Sequence, residues 1–195
     1  MLNTENLARM NDDELLSQQI CKLNLTMKGT RIEKAIRLLY KELDERSIQF
    51  KPPCFLTDEW FSPEGIPAIG IPFYLVHPRL IQLERKMMLK VEGETEKWCM
   101  KLLRHETGHA INHAYKLFRK TRWRELFGSA HLKQYSPSNY SVHPYSKRYV
   151  IHLDNHYAQA HPEEDFAETF AVWLNPENNW QEKYRGWPAL KKLNY

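Results

Sequence analysis

The sequence predicts an α+β fold in which a small mixed sheet packs against helices. Two observations carry that expectation. Apolar residues recur at helical spacing before residue 45, between 95 and 117, and after 162, whereas residues 51–78 are broken by Pro52, Pro53, Pro63, Gly65, Pro67, Gly70, Pro72 and Pro78 around an alternating Ile69, Ile71, Phe73, Leu75. The chain also has enough apolar material for a real core, at 42% hydrophobic and 12% aromatic residues over 195 positions, which excludes the aromatic-poor composition of disorder.

Each element follows in order. Asn11, Asp12 and Asp13 can cap a helix through Leu15, Leu16, Ile20 and Leu23, and Thr30 with Glu33 makes a capping-box pattern ahead of Ile32, Ile36, Leu39, Tyr40 and Leu43. Residues 1–50 therefore read as a helical scaffold and 51–195 as the domain that carries the chemistry, the two forming one compact unit. Pro72 lacks an amide donor and places its strand at a sheet edge, where an extended peptide can pair with it, the equal alternative being a buried hairpin with no ligand role. Thr95 or a neighbour starts the next helix, with a stripe at Leu103, Thr107, Ala110, Ala114 and Leu117. Residues 128–148 read as a long loop, and Tyr149–Leu153 as a short strand. Pro162 suits a first helical position, Glu163, Glu164 and Asp165 suit the positive end of the helix dipole, and Asn175-Pro176 stops that helix. Residues 180–195 read as a packed tail. Whether Trp60, Trp123, Trp173 and Trp187 line a cleft or fill a core is open at this level.

Charge and cysteine content narrow the function classes. The net charge is +4, with cations gathered at Lys116, Arg119, Lys120, Arg122 and Arg124. The ordinary reading of such a run is a solvated helix face, and the alternative is contact with nucleic acid through phosphates. Cys21, Cys54 and Cys99 are widely spaced and form no C-x-x-C pair, so they read as reduced thiols rather than a disulfide framework or a zinc ribbon. The first residues lack the basic and apolar regions of a secretion signal, and no stretch approaches the roughly 20 apolar residues of a membrane helix. The expected location is the cytoplasm, with no membrane partner.

The chemistry is concentrated in two segments. His105-Glu106-Thr107-Gly108-His109 is H-E-x-x-H, which on a helix puts two imidazoles one turn apart on one face. The pattern points to Zn2+ bound by His105 and His109, with Glu106 as the general base that activates water. Catalytic zinc takes a third protein ligand and keeps a position for water. A further histidine at the spacing H-E-x-x-H-x-x-G-x-x-H is ruled out by Asn112 and Tyr115, and His113 lies a turn too far along and reads as a supporting or packing residue. Glu164 and Glu168 stand at helical spacing on the later helix, so one can bind metal while the other orients a ligand histidine. Glu164 is the preferred ligand and Glu168 the supporting group, with the reverse as the alternative.

His161-Pro-Glu-Glu-Asp-Phe-Ala-Glu-Thr-Phe170, following His105-Glu-Thr-Gly-His109, resembles the zinc-binding metallopeptidases of bacteria, and is similar to the lethal-factor branch of the glutamate-ligand zincins. The likeness is close over the metal helix and residues 149–174, and loose around Pro67–Pro78. It implies a zincin-like fold with an active-site helix and a second ligand-bearing helix. It also implies zinc on Glu164, support from Glu168, and a phenol from Tyr157 on the oxyanion formed during peptide hydrolysis, with His156 as the competitor for that role and His152 and His161 also close enough in sequence to enter the site. The expected function is a zinc-dependent metallopeptidase acting on a peptide or protein. The rival is a zinc-stabilised, non-catalytic binding module for nucleic acid or a partner protein, but a closed structural site has no use for Glu106. Substrate identity, cleavage mode and oligomeric state are not legible.

Overall fold

The computed structural model describes residues 4–129 and 140–195. Helices α1 (Thr4–Arg9), α2 (Asp12–Leu16), α3 (Arg31–Glu45) and α4 (Pro78–Met88) flank a two-stranded sheet of β1 (Cys54–Thr57) and β2 (Ile69–Pro72). The later half holds α5 (Glu96–Ala114), α6 (Thr121–Phe127), α7 (Pro162–Leu174), α8 (Trp180–Lys183) and α9 (Leu190–Leu193). Among the described residues no helix is long and apolar enough to cross a membrane.

The helix starts obey local chemistry. Asn11 and Glu14 cap α2 reciprocally, but that helix ends at Leu16, and Ile20–Lys22 form a separate 3-10 turn instead of continuing to Leu23. Thr30 caps α3 through the Ile32 amide, while Glu33 reaches one residue further back than a capping box requires, to the Gly29 amide at 2.6 Å. Thr95 caps α5 by accepting from Trp98. The helix α4 is not announced by the sequence, where Pro78 reads as a breaker. Here it occupies the first turn, where its missing amide costs nothing, and the imidazole of His77 accepts from Arg79 as the cap. His161-Pro162 repeats the device at the start of α7.

The small sheet lacks the open edge that Pro72 suggests, and its second strand is buried, as in the alternative reading. β1 and β2 are parallel, with Phe55 opposite Gly70, and on its other side Gly70 bridges Phe61 in antiparallel fashion. All four β2 residues are buried. At Gly70 both edges are therefore taken, and a peptide has no ladder to join there. The alternation beyond Pro72 belongs to a 3-10 turn at Phe73–Val76. Residues 149–153 form no strand either, and the main-chain groups of Ile151 and the Leu153 amide bond side chains instead. Of the long loop read at 128–148, residues 130–139 lie outside the described residues, and residues 140–148 hold no helix or strand.

Two apolar clusters organise the packing. The larger joins Leu7, Leu15, Leu39 and Leu43 of the N-terminal helices to Ile69 and Ile71 of β2, Leu103 and Ile111 of α5, Trp123 of α6 and Phe166 of α7. The smaller gathers Val150, Val172, Trp180, Tyr184, Ala189 and Leu193, so the C-terminal segment packs on the back of α7. The tryptophans belong to this packing: Trp123 is fully buried, Trp60 donates to the Glu92 carbonyl, Trp173 lies under Arg46, and Trp187 meets Tyr184 edge-on.

Candidate metal centre

The site is built where α5 and α7 pack together. On α5 the i, i+4 spacing brings the His105 and His109 rings to a centroid separation of 4.9 Å. On α7 Glu164 and Glu168 stand one turn apart and are both buried. Close approach of the two helices depends on Gly108, which faces Ala167 backbone to backbone. A glycine inside a helical motif is the one sequence signal of that contact.

Three ligand-type atoms converge into a nearly equilateral triangle. His105 Nε2 and His109 Nε2 are 3.2 Å apart, and each lies 3.1 Å from Glu164 Oε2. Two ligands about 2.05 Å from one tetrahedral zinc stand about 3.3 Å apart, so the residues present fit the ion. Among the described residues this is the one His, Cys, Asp and Glu group with metal-binding geometry. The donor set, two imidazoles and one carboxylate, suits zinc and leaves a fourth position open.

Electrostatics follow from enclosure. Burial alone would raise the Glu164 carboxyl, but His109 and His105 outweigh it and hold it well below the usual carboxylate range. Burial would likewise lower His105, and its bonds to Glu164 and Glu168 overcome that and raise it well above 6.5. His109 is raised by Glu164 against the same burial penalty. Glu106 is buried on the same turn of α5, and burial pushes its carboxyl up, against the lowering pull of both histidines.

Glu168 divides its oxygens between two partners. Oε1 lies 2.9 Å from His105 Nδ1, and Oε2 accepts the Leu153 amide at 2.8 Å. A carboxylate on Nδ1 holds the proton there and leaves Nε2 free to face a metal.

The remaining sequence candidates separate in space. The Tyr157 ring is 5.7 Å from the His105 ring, inclined at 40°. It follows Asn155 and His156, both in the left-handed region at φ 59° and 55°. His113 packs on Phe118 and is lowered by burial. His152 lies 3.0 Å from the Lys101 carbonyl through Nε2, and His161 caps α7. None of these three, nor His156, belongs to the ligand triangle. Sequence reasoning missed the Leu153 amide and the N-capping role of His161, although the His-Pro pair signals the latter.

Two crossed helices of an α+β domain thus present a His-His-Glu cluster that could hold a divalent metal, which defines the class as a metal-site protein. Residues 82–184, more than half of the chain, match the family described as putative zinc-binding metallo-peptidase, and the chain belongs to that family. No curated protein and no solved structure matches the chain.

Proposed function

We propose that the chain is a zinc-dependent peptidase of the zincin type, in which His105, His109 and Glu164 hold Zn2+ and Glu106 serves as general base. The observation that carries this reading is the position of Glu106: a buried carboxylate on the turn of α5 that joins the two histidines of a three-sided, one-position-open ligand set. A closed structural site would need a fourth protein ligand and no adjacent base.

When bound, zinc lowers the pKa of water toward 7 and polarises a carbonyl. Glu106 takes the proton from the attacking water and returns it to the leaving amine. Its raised affinity for protons, caused by burial, suits that exchange. Glu168 keeps His105 in the tautomer whose Nε2 points to the cluster. Tyr157, beside His105, donates to the negative oxygen that develops on the attacked carbonyl. A cytoplasmic setting accords with three free cysteines.

Metal content after dialysis tests the ligand set. Wild type should retain about one zinc per chain, and His109→Ala and Glu164→Ala should lose it. Glu106→Gln should keep zinc and lose hydrolysis across a peptide library. Metal binding indifferent to Glu164, or an active Glu106→Gln protein, overturns the reading.

The second reading, a zinc-stabilised nucleic-acid binder, draws on one observation: Lys116, Arg119, Lys120, Arg122 and Arg124 are all exposed around the end of α5 and on α6. Strongly salt-dependent binding to DNA or RNA by a protein without peptidase activity would favour it.

A further inference from the structure

The segment 150–153 belongs to no helix or sheet. It is held instead at three consecutive residues, through the main chain at Ile151 and Leu153 and through the side chain at His152. At Ile151 the amide donates to the Tyr184 hydroxyl oxygen at 3.0 Å, and the same hydroxyl donates to the Ile151 carbonyl at 3.3 Å. At His152 the imidazole bonds the Lys101 carbonyl of α5. At Leu153 the amide donates to Glu168 Oε2, whose companion oxygen meets His105 Nδ1. The C-terminal segment is thereby connected to a ligand histidine through four residues and no flexible side chain longer than Glu168.

We propose that Tyr184 is a positioning residue of the metal centre, setting the orientation of His105 through the Ile151 backbone, the Leu153 amide and the Glu168 carboxylate. The inference rests on the ligand assignment above and extends it to a residue far from the triangle. Tyr184 is fully buried among Val150, Val172 and Leu193, so its ring has no freedom to let the clasp slide. A phenylalanine would fill the same volume, and the hydroxyl is needed only for a hydrogen bond, because a buried hydroxyl is otherwise costly. Ile151 is 45% exposed. Position 151 is thus fixed chiefly by its backbone bonds to the phenol. Only His152 separates it from Leu153, and the two positions are at most about 7 Å apart along the chain. A shift at Ile151 therefore reaches the amide that orients Glu168.

The experiment measures zinc affinity of the full chain by competition against a chelating indicator, for wild type, Tyr184→Phe, Glu168→Ala and the double variant, beside the thermal midpoint of each metal-free protein. Loss of a direct supporting partner of a ligand histidine weakens metal binding about 10- to 100-fold, so Tyr184→Phe, which acts on that partner through the backbone of 151–153, should weaken it about three- to tenfold. Because both act through one carboxylate, Tyr184→Phe should add almost nothing in the Glu168→Ala background. A purely structural tyrosine would lower the metal-free midpoint and leave zinc affinity unchanged, or weaken it by the same factor in both backgrounds, and either result overturns the proposal. Amide hydrogen exchange on wild type gives an independent reading that needs no variant. Zinc should slow exchange at Ile151 and Leu153 together, and slowing at Leu153 alone would also overturn it. Wild type that binds no zinc would sink the peptidase reading and this inference with it, whereas wild type that binds zinc no better than Tyr184→Phe sinks this inference alone.

Discussion

Gly108 and Ala167 meet backbone to backbone where α5 passes α7: a Cβ placed on Gly108 would lie 2.7 Å from the Ala167 Cα and 3.1 Å from its carbonyl oxygen. Neither atom belongs to a flexible side chain, so the contact is relieved only by parting the helices. Gly108 precedes His109 and Ala167 precedes Glu168, and parting them stretches the ligand triangle. Helix propensity favours Gly108→Ala by about 1 kcal/mol. Overpacking opposes it by about 1–3 kcal/mol. The expected outcome is a less stable protein with weakened zinc binding, read by denaturant unfolding and metal titration. A stabilised variant with unchanged zinc affinity would show that the contact does not limit the approach.

Arg104, immediately before His105, forms a two-pronged bond with Glu42 of α3, Nε to Oε2 at 2.8 Å and Nη2 to Oε1 at 2.6 Å. Both residues are buried. Removing one partner of such a pair leaves a buried charge uncompensated and costs about 3–5 kcal/mol, whereas replacing both by apolar residues of similar volume is near neutral. Glu42→Leu should therefore be strongly destabilised and Glu42→Leu/Arg104→Met should regain most of the loss in urea unfolding. Equal losses in the single and double variants would mean that packing, not charge, dominates at this joint.

These two contacts show where sequence reading stops. The i, i+4 spacing of His105 with His109 and of Glu164 with Glu168 is local, so a shared face within each helix is legible from periodicity alone. The meeting of the two helices, 55 residues apart between His109 and Glu164, follows from the need for a third zinc ligand and from the resemblance, and not from any local spacing. Elements fail where one residue has two roles. Pro78 breaks a helix or starts one, and the deciding feature is the cap supplied by His77. The alternation at 149–153 resembles a strand, yet its partners are Tyr184 and Glu168, side chains that no strand pattern announces. The edge strand expected from Pro72 is enclosed because Phe61 folds back on Gly70, a pairing with no signature in the sequence.

Tyr157 follows two left-handed non-glycine residues, Asn155 and His156, and the Tyr140 hydroxyl holds that turn by donating to the Asn155 carbonyl at 2.6 Å. Such conformations persist where surrounding contacts enforce them. If the turn serves to present the Tyr157 phenol to the reacting carbonyl, Tyr157→Phe should lower kcat about 10²- to 10³-fold while zinc content stays at the wild-type level. His156→Ala should change kcat far less. The reverse ranking would transfer the oxyanion role to His156.

His152 makes acid stability a readout of the segment that supports Glu168. Burial lowers its pKa from 6.5 to about 4, so the folded state keeps the ring neutral where the unfolded chain takes up a proton. Stability from this group is complete above pH 6.5 and is lost as pH falls toward 4, by roughly 3 kcal/mol in full. Asp165 acts oppositely over almost the same window. Burial, against the pull of Lys192, lifts its carboxyl to about 7, so its contribution declines as pH rises from 3.8. The wild-type curve alone therefore does not isolate His152, and the difference between wild type and His152→Gln does. The glutamine amide can still donate to the Lys101 carbonyl but does not titrate. Urea unfolding between pH 4 and 7 should show wild type losing stability relative to His152→Gln as the pH falls. A constant difference across that range would mean that His152 takes up its proton equally in the folded and unfolded chains.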